Sequence, residues 1–263
     1  MGLPDPLRPL AARPHEAAVF VDFDGSISEI VENPGAARVV PAARDALAAL
    51  TGRVAKVAVV SGRPVGFLAG AVDVPGITLV GQYGLERLVD GRVVADPRVE
   101  PYLLAVAAAA DDVERELPGL TIERKGDVAV TVHWRAEPER ERDAVAAVER
   151  VARRHGLTVY ETRMARELRP PVPIDKGTAV ESLLDGIAVA SFAGDDLGDV
   201  PAFRVLARAV EEGRLDHAVR IAVGSAEIAA DVLAHADLVV DGPAGLVELL
   251  QDLANATSGT PRR

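Results

Sequence analysis

Ala17-Ala18-Val19-Phe20-Val21-Asp22-Phe23-Asp24-Gly25-Ser26 is a run of five apolar residues that ends on two carboxylates spaced two apart and then a glycine. Five apolar residues in succession predict a strand buried on both faces, as in a parallel sheet. Strand side chains alternate, so Asp22 and Asp24 leave the carboxyl end on the same side, and Gly25 lets the chain turn sharply. Open α/β sheets carry their chemistry at this edge. Asp and Gly also favour turns for purely local reasons, so the other segments must decide the reading.

Ala17 to Gly81 alternates between strand and helix: strands Ala17 to Val21, Ala55 to Val60 and Ile77 to Val80, with a helix Ala42 to Leu50 entered through Pro41. The alternation returns after Ile174, as helix Gly177 to Leu184, strand Ile187 to Ala193, helix Pro201 to Glu211, strand Val219 to Val223, helix Ala226 to Ala234, strand Leu238 to Val240 and helix Ala244 to Leu253. The two blocks, residues 1–88 and 172–263, read as halves of one α/β domain with a doubly wound, mostly parallel sheet.

Residues 89–171 differ in texture. A hairpin from Leu88 to Val94 turns at Asp90-Gly91 and leads to a helix from Val99 to Leu117. Strands at Leu120 to Arg124 and Val128 to Trp134 come before a charged helix, Pro138 to His155, and short strands at Leu157 to Tyr160 and Ala165 to Leu168. Long helices beside half-polar strands predict an inserted α+β domain with one exposed sheet face. Met1 to Pro14, with its prolines, reads as a frayed tail and not as a signal peptide, and Thr257 to Arg263 as a disordered one.

Composition narrows the function. A hydrophobic content of 49% over 263 residues supports a sizeable core, while aromatics at 3% offer little stacking surface for single-stranded nucleic acid. A formal charge of −11 repels phosphate backbones and anionic membranes. Without cysteine there are no disulfides, thiolate ligands or thiol nucleophiles, which fits a cytoplasmic location. The apolar stretch Leu103 to Ala110 is too short to span a bilayer. The expectation is a cytoplasmic protein, monomeric or weakly homo-oligomeric, with no nucleic-acid or membrane partner.

Three further segments bring chemistry to strand and helix ends. The second strand ends in Ser61-Gly62-Arg63, a hydroxyl with flexible backbone amides. Ile174-Asp175-Lys176-Gly177 opens a helix, and a lysine in a first turn opposes the macrodipole unless an anion is held there with the helix amides. The strand ending at Gly194 delivers Asp195-Asp196-Leu197-Gly198-Asp199. Hard cations such as Mg²⁺ take oxygen ligands and keep several waters. Asp195 is the expected direct ligand, and Asp199 is expected to hold metal-bound waters.

An acidic pair, a serine, a lysine and an acidic cluster, in that order, resemble the four motifs of the haloacid dehalogenase (HAD-like) superfamily of phosphohydrolases, here Asp22/Asp24, Ser61, Lys176 and Asp195/Asp199. The resemblance implies a HAD-like core with an inserted cap of the C2 type. It also implies Mg²⁺ held by Asp22, Asp24 (through its carbonyl), Asp195 and Asp199. Asp22 would attack phosphorus to give an aspartyl-phosphate, Asp24 would act as acid and then base, and Lys176 and Ser61 would neutralise and orient the phosphoryl oxygens.

Within the insertion, Glu123-Arg124-Lys125-Gly126, His133-Trp134-Arg135 and Glu167-Leu168-Arg169-Pro170 look like trehalose-6-phosphate phosphatases, as do Gly81-Gln82-Tyr83-Gly84-Leu85-Glu86 before it and the opening Asp22 to Ile30 followed by Pro34. That likeness implies a small-molecule sugar phosphate as substrate, with Glu123, Lys125 and Glu167 bonding the distal glucose and Arg63 contributing to substrate binding. Arg124 and Arg135 read as solvated charges, and His133 as a packing or hydrogen-bonding residue. Closure about hinges near Val89 and Pro171 to Pro173 is expected. Ser26 stands where the family usually has Thr and keeps the hydroxyl; Gly198 stands where it usually has Thr between the two acidic positions, which leaves room for a related disaccharide phosphate as substrate. The alternatives are a phosphatase for another disaccharide or sugar phosphate of the superfamily and a non-catalytic sugar-phosphate-binding module.

Overall fold

In a computed structural model describing residues 2–31, 34–162, 164–224 and 228–259, the chain divides into two units, Met1–Gly91 with Ile174–Arg263, and Arg92–Pro173. The first unit opens with helix α1 (Arg8–Ala12), strand β1 (Ala17–Val21), α2 (Pro41–Thr51), β2 (Lys56–Val60), α3 (Val65–Val72), β3 (Thr78–Gly81) and β4 (Glu86–Val89). The second unit contributes β5 (Arg92–Ala95), α4 (Leu103–Glu116), β6 (Thr121–Lys125), β7 (Ala129–His133), α5 (Glu141–His155), β8 (Thr158–Thr162) and β9 (Ala165–Arg169). The chain then returns to the first unit through α6 (Lys176–Glu181), β10 (Val189–Gly194), α7 (Val200–Glu211), β11 (His217–Gly224), α8 (Ala230–His235), β12 (Leu238–Asp241) and α9 (Gly242–Ala256).

In the first unit the strands lie in the order β12-β11-β10-β1-β2-β3-β4, parallel throughout except for β4. All five residues of β1 are buried, because helices cover both faces of the sheet. Ala17, Val19 and Val21 enter a core built with α1, α2, α3 and α9, whereas Ala18 and Phe20 enter one built with α6, α7 and α8. In the latter, Phe192 and Phe203 meet edge to face at 5.9 Å. This is the doubly wound architecture expected from the strand and helix alternation.

The N-terminal segment is not frayed: Leu7 and Leu10, three apart on one face, are buried in the core, with prolines only at element starts where a missing N–H costs nothing. Helix α3 was not delimited from sequence, since Val65-Gly66-Phe67-Leu68 is apolar all round and lacks a polar stripe. Helix α8 begins at Ala230 and not at Ala226, and residues 225–227 lie outside the described residues. Thr257 is buried and its hydroxyl donates to the Leu253 and Ala254 carbonyls, so the last helix is capped and not followed at once by a loose tail; residues 260–263 lie outside the described residues.

The second unit carries an antiparallel sheet in the order β6-β7-β9-β8. Val130, Val132 and Leu168 pack with Trp134 against Val106, Ala109, Ala110 and Val113 of α4 and Ala144, Ala147, Val148 and Val151 of α5. The spacing of the helix residues is the i, i+3, i+4, i+7 stripe of an amphipathic helix. The opposite sheet face is polar. Asp112 of α4 clamps α4 to α5 through Arg154 and His155 and also pairs with Arg115 on its own helix; these partners, led by His155, hold its carboxyl well below the usual range. Among the described residues, no helix is long and apolar enough to cross a membrane.

Candidate active site

Asp22 follows β1 directly, its N–H donating to the Ala193 carbonyl at 2.8 Å and so extending the ladder between β1 and β10. Its side chain continues the even-numbered series of Ala18 and Phe20, toward the face covered by α6 and α7. Lys176 is the first residue of α6 and Asp199 the residue before α7. The Lys176 ammonium donates to Asp22 Oδ1 at 2.6 Å and to Asp199 Oδ1 at 2.7 Å, and all three side chains are buried. Asp199 Oδ2 accepts from the N–H groups of Asp195 and Asp196 at 3.0 and 3.2 Å.

One ammonium between two buried carboxylates leaves an excess of negative charge. Burial pushes the Asp22 carboxyl well up despite Lys176, and burial also raises Asp199. Burial would lower Lys176, but Asp199 and Asp22 outweigh it and hold the ammonium charged. Asp195 is raised to about 7, first by burial and then by Asp199 and Asp196.

Carboxylate oxygens of Asp22, Asp195 and Asp199 lie within 4.8 Å of one another. Asp195 Oδ1 is buried with no hydrogen-bond partner. Gly25, at φ 75°, makes room for it, since a methyl group there would overlap the Asp195 carboxylate, and one at Gly194 would overlap that of Asp199. A buried oxygen without a donor, among acidic neighbours and in a cradle only glycine permits, fits a hard divalent cation.

At the same sheet edge, Arg63 grips Asp24 with two hydrogen bonds, Nε to Oδ2 at 2.7 Å and Nη2 to Oδ1 at 2.6 Å, and stacks over Phe67. Ser61 is buried and its Oγ accepts from the Arg63 N–H at 3.2 Å. The core residues expected from sequence are thus gathered at one sheet edge. The pairing of Arg63 with Asp24 carried no signal in sequence, because 39 residues separate the partners.

In the second unit, Glu123, Thr131, Glu167 and Tyr160 form one row across four strands of the polar face. Glu167 is buried and saturated: Lys125 Nζ donates to its Oε2 at 2.6 Å, Thr131 Oγ1 to the same oxygen at 3.0 Å, and Arg169 Nε to Oε1. Burial would raise Glu167, and the cations Lys125 and Arg169 more than offset it. Arg169 also stacks on the Tyr160 ring. Glu123, at the end of the row, pairs with His133 3.0 Å away, and His133 and the nearby Lys125 lower its carboxyl against the effect of burial. Arg124, read from sequence as a solvated charge, is exposed and ion-paired with the equally exposed Glu114 and Asp111 of α4. Thr131, Tyr160 and Arg169 were not singled out individually from sequence; the strand register brings them beside Glu167.

With this geometry in place, the sequence profile of the trehalose-phosphatase family matches residues 20–238. The chain belongs to the trehalose-phosphatase family. Among its relatives, the trehalose-phosphate phosphatase of Mycobacterium tuberculosis is 33% identical over 99% of this chain and 68% of its own length. That of Mycobacterium avium is 36% identical over 71% of this chain and 50% of its own. Solved folds agree: a trehalose-6-phosphate phosphatase related protein has a TM-score of 0.72 at 23% identity, covering 90% of this chain and 97% of its own. The C-terminal domain of the C. albicans trehalose-6-phosphate phosphatase scores 0.71 at 21% identity, covering 97% and 98%. Members of this family are enzymes, and the matched span includes every candidate residue named above.

Proposed function

We propose that this protein is a Mg²⁺-dependent phosphatase that converts trehalose 6-phosphate to trehalose and inorganic phosphate in the cytoplasm through an aspartyl-phosphate. Residues 1–88 and 172–263 serve as the catalytic core and residues 89–171 as the specificity cap. The observation that carries the reading is the buried chain Asp22–Lys176–Asp199 beside the unpartnered Asp195 oxygen, in a member of the trehalose-phosphatase family.

Phosphate-monoester hydrolysis needs acceleration of up to ~10²¹-fold, whereas one general acid or base supplies about 10²–10⁴. A covalent route divides the barrier. An Asp22 carboxylate oxygen forms a bond to phosphorus as the bond to the sugar oxygen breaks, and Asp24 delivers its proton to that leaving oxygen. Asp24 then takes a proton from water as the water oxygen bonds to phosphorus, the Asp22–phosphorus bond breaks, and phosphate leaves. Lys176 neutralises a phosphoryl oxygen, while the Ser61 hydroxyl and adjacent amides orient the group. Asp22, Asp195, Asp199 and the Asp24 carbonyl would hold Mg²⁺, which when bound supplies charge neutralisation of the phosphoryl oxygens. Arg63 binds substrate at the phosphoryl end, and Glu123, Lys125 and Glu167 recognise the sugar, whose hydroxyls both donate and accept.

Phosphate release from trehalose 6-phosphate, measured with Mg²⁺ and with EDTA against a panel of other disaccharide and sugar phosphates, tests the proposal. Turnover that is insensitive to EDTA, or preference for another ester by more than about tenfold in kcat/KM, removes it.

A further inference from the structure

The segment that follows β3 is strained beyond what a connection requires. Gln82 (φ 50°), Tyr83 (φ 61°) and Gly84 (φ 117°) all have positive φ in succession, and for the two non-glycine residues this costs on the order of 1–3 kcal/mol each. Gln82 is also fully buried, with neither amide atom of its side chain hydrogen-bonded. Buried polar groups without partners are rare in folded proteins, and several unfavourable features on adjacent residues indicate that the surroundings hold the segment in place.

Those surroundings are the loops of the candidate site. The Gln82 and Tyr83 N–H groups donate to the Arg63 and Ser61 carbonyls, each at 2.9 Å, so the segment is bonded to the Ser61-Gly62-Arg63 turn. The Tyr83 ring lies flush on that turn: a methyl group at Gly62 would fall 2.6 Å from Tyr83 Cζ and 2.7 Å from its hydroxyl oxygen. The same ring reaches the acidic loop, where a methyl group at Gly198 would meet Tyr83 Cε1 at 3.7 Å and Asp196 Oδ1 at 3.0 Å. Gly84 packs at the entrance to α6, where a methyl group would fall 2.9 Å from Ile174 Cγ2 and 3.1 Å from Ala179 Cβ.

Resting on the phosphatase reading above, we infer that Tyr83 is a positioning residue: its ring, pressed on Gly62 and facing Gly198 across a methyl-sized space, sets the spacing of the loop that carries Ser61 and Arg63 from the loop that carries Asp195 and Asp199. A rigid aromatic spacer suits this task, because it fills a fixed volume with two rotatable bonds. Gly198 is its complement. A Cβ at 198 would press on the Asp196 carboxylate, which accepts the Gly198 N–H at 2.8 Å, and would come into ordinary contact with the ring, so a branched side chain there has little room beside Tyr83.

The test compares Tyr83→Phe, Tyr83→Ala and Gly198→Thr with the natural chain, on trehalose 6-phosphate and on 4-nitrophenyl phosphate. A misplacement of about 1 Å costs about 10²-fold in rate. Tyr83→Ala is therefore expected to lose about 10–100-fold in kcat on both esters with KM moved less than about threefold, and Tyr83→Phe to stay within about threefold of the natural chain. Gly198→Thr is expected to lower kcat in the Tyr83 protein and to add little in the Tyr83→Ala protein. Independently of turnover, the rise in unfolding temperature produced by inorganic phosphate with Mg²⁺ should shrink in Tyr83→Ala.

Full kcat in Tyr83→Ala on both esters, a loss confined to trehalose 6-phosphate, or additive losses with Gly198→Thr overturns the inference. Should Tyr83→Ala fail to fold, Gly198→Thr carries the test alone, and unchanged kcat in that variant overturns it. If the natural chain hydrolyses only the aryl ester, the substrate assignment falls while the Tyr83 comparison is read on that ester; if it hydrolyses neither, both fall.

Discussion

Arg63 grips both carboxylate oxygens of Asp24, at 2.6 and 2.7 Å, in a pair whose side chains are 21% and 37% exposed. In the proposed mechanism the same carboxyl has to pass a proton to a leaving sugar oxygen. A guanidinium that holds both oxygens orients the carboxyl, and one of the two bonds opens when an oxygen carries the proton; a lysine cannot reproduce the planar two-point grip. Arg63→Lys is therefore expected to recover little of the activity lost in Arg63→Ala, about 10–100-fold in kcat/KM. Steady-state kinetics on the two variants check this, and full activity in the lysine variant would disprove the orienting role.

Asp22→Asn should remove turnover by more than about 10³-fold while leaving the fold intact. Burial already opposes the charged form of Asp22, and Lys176 keeps Asp199 as its partner, so the metal-free variant should melt no lower than the natural chain. Far-ultraviolet circular dichroism and a thermal melt decide it. A large loss of stability would mean that Asp22 is a structural residue first.

Metal affinity should depend on pH through Asp195. Its carboxyl is raised to about 7 in the metal-free fold, against about 4 when unfolded, so the folded state resists ionising it. The metal-free protein therefore loses stability as pH rises between about 4 and 7, and a cation that needs the carboxylate must displace a proton below about 7. The gain in unfolding temperature on adding Mg²⁺ should accordingly grow from pH 6 to pH 8. A gain independent of pH would rule out Asp195 as a ligand.

Glu123→Ala should raise KM for trehalose 6-phosphate more than for a small aryl phosphate, with little effect on stability, because the Glu123 side chain is about half exposed and pairs with the partly exposed His133. Glu167→Ala is a harsher change. It strips Lys125, Thr131 and Arg169 of a shared acceptor, and breaking a buried ion pair costs about 3–5 kcal/mol. Denaturant titration beside the kinetics separates the two effects. Equal KM changes on both esters for Glu123→Ala would remove it as a sugar contact.

Asp112→Asn should destabilise the second unit, by loosening the clamp of α4 on α5 at Arg154 and His155. The folded carboxyl is depressed, so its stabilisation is present above the unfolded value of about 4 and fades as pH falls below it. Melts at pH 7 and pH 3 should differ less for the variant than for the natural chain.

The parallel sheet was legible because β1 is a continuous apolar run and β2 and β10 are nearly so, broken only by Lys56 and Ser191, each run followed by polar residues, and burial on both faces dictates that pattern. Asp22, Ser61, Lys176 and Asp195 were legible for a related reason: each follows a strand or opens a helix, where side chains of no use to the core become visible against apolar neighbours. What sequence hides is the pairing across distance. Lys176 reaches Asp22 over 154 residues and Glu167 collects Lys125 over 42, partners set by sheet order and register and not by spacing. The N-terminal helix was misread because its prolines resemble those of a loop, although Leu7 and Leu10 share one face. Gln82 and Tyr83 carry no sequence mark of left-handed backbone, since that conformation belongs by default to glycine and, less often, asparagine.

At Gly25 and Gly194 the acidic nest depends on hydrogen atoms standing where methyl groups would collide with carboxylates. In a saturation library scored for growth or turnover, these two codons should prove as unforgiving as those for the aspartates themselves, even alanine being rejected. A designer who grafted the acidic residues onto another scaffold and overlooked the two hollows beside them would obtain the ligands without the berth.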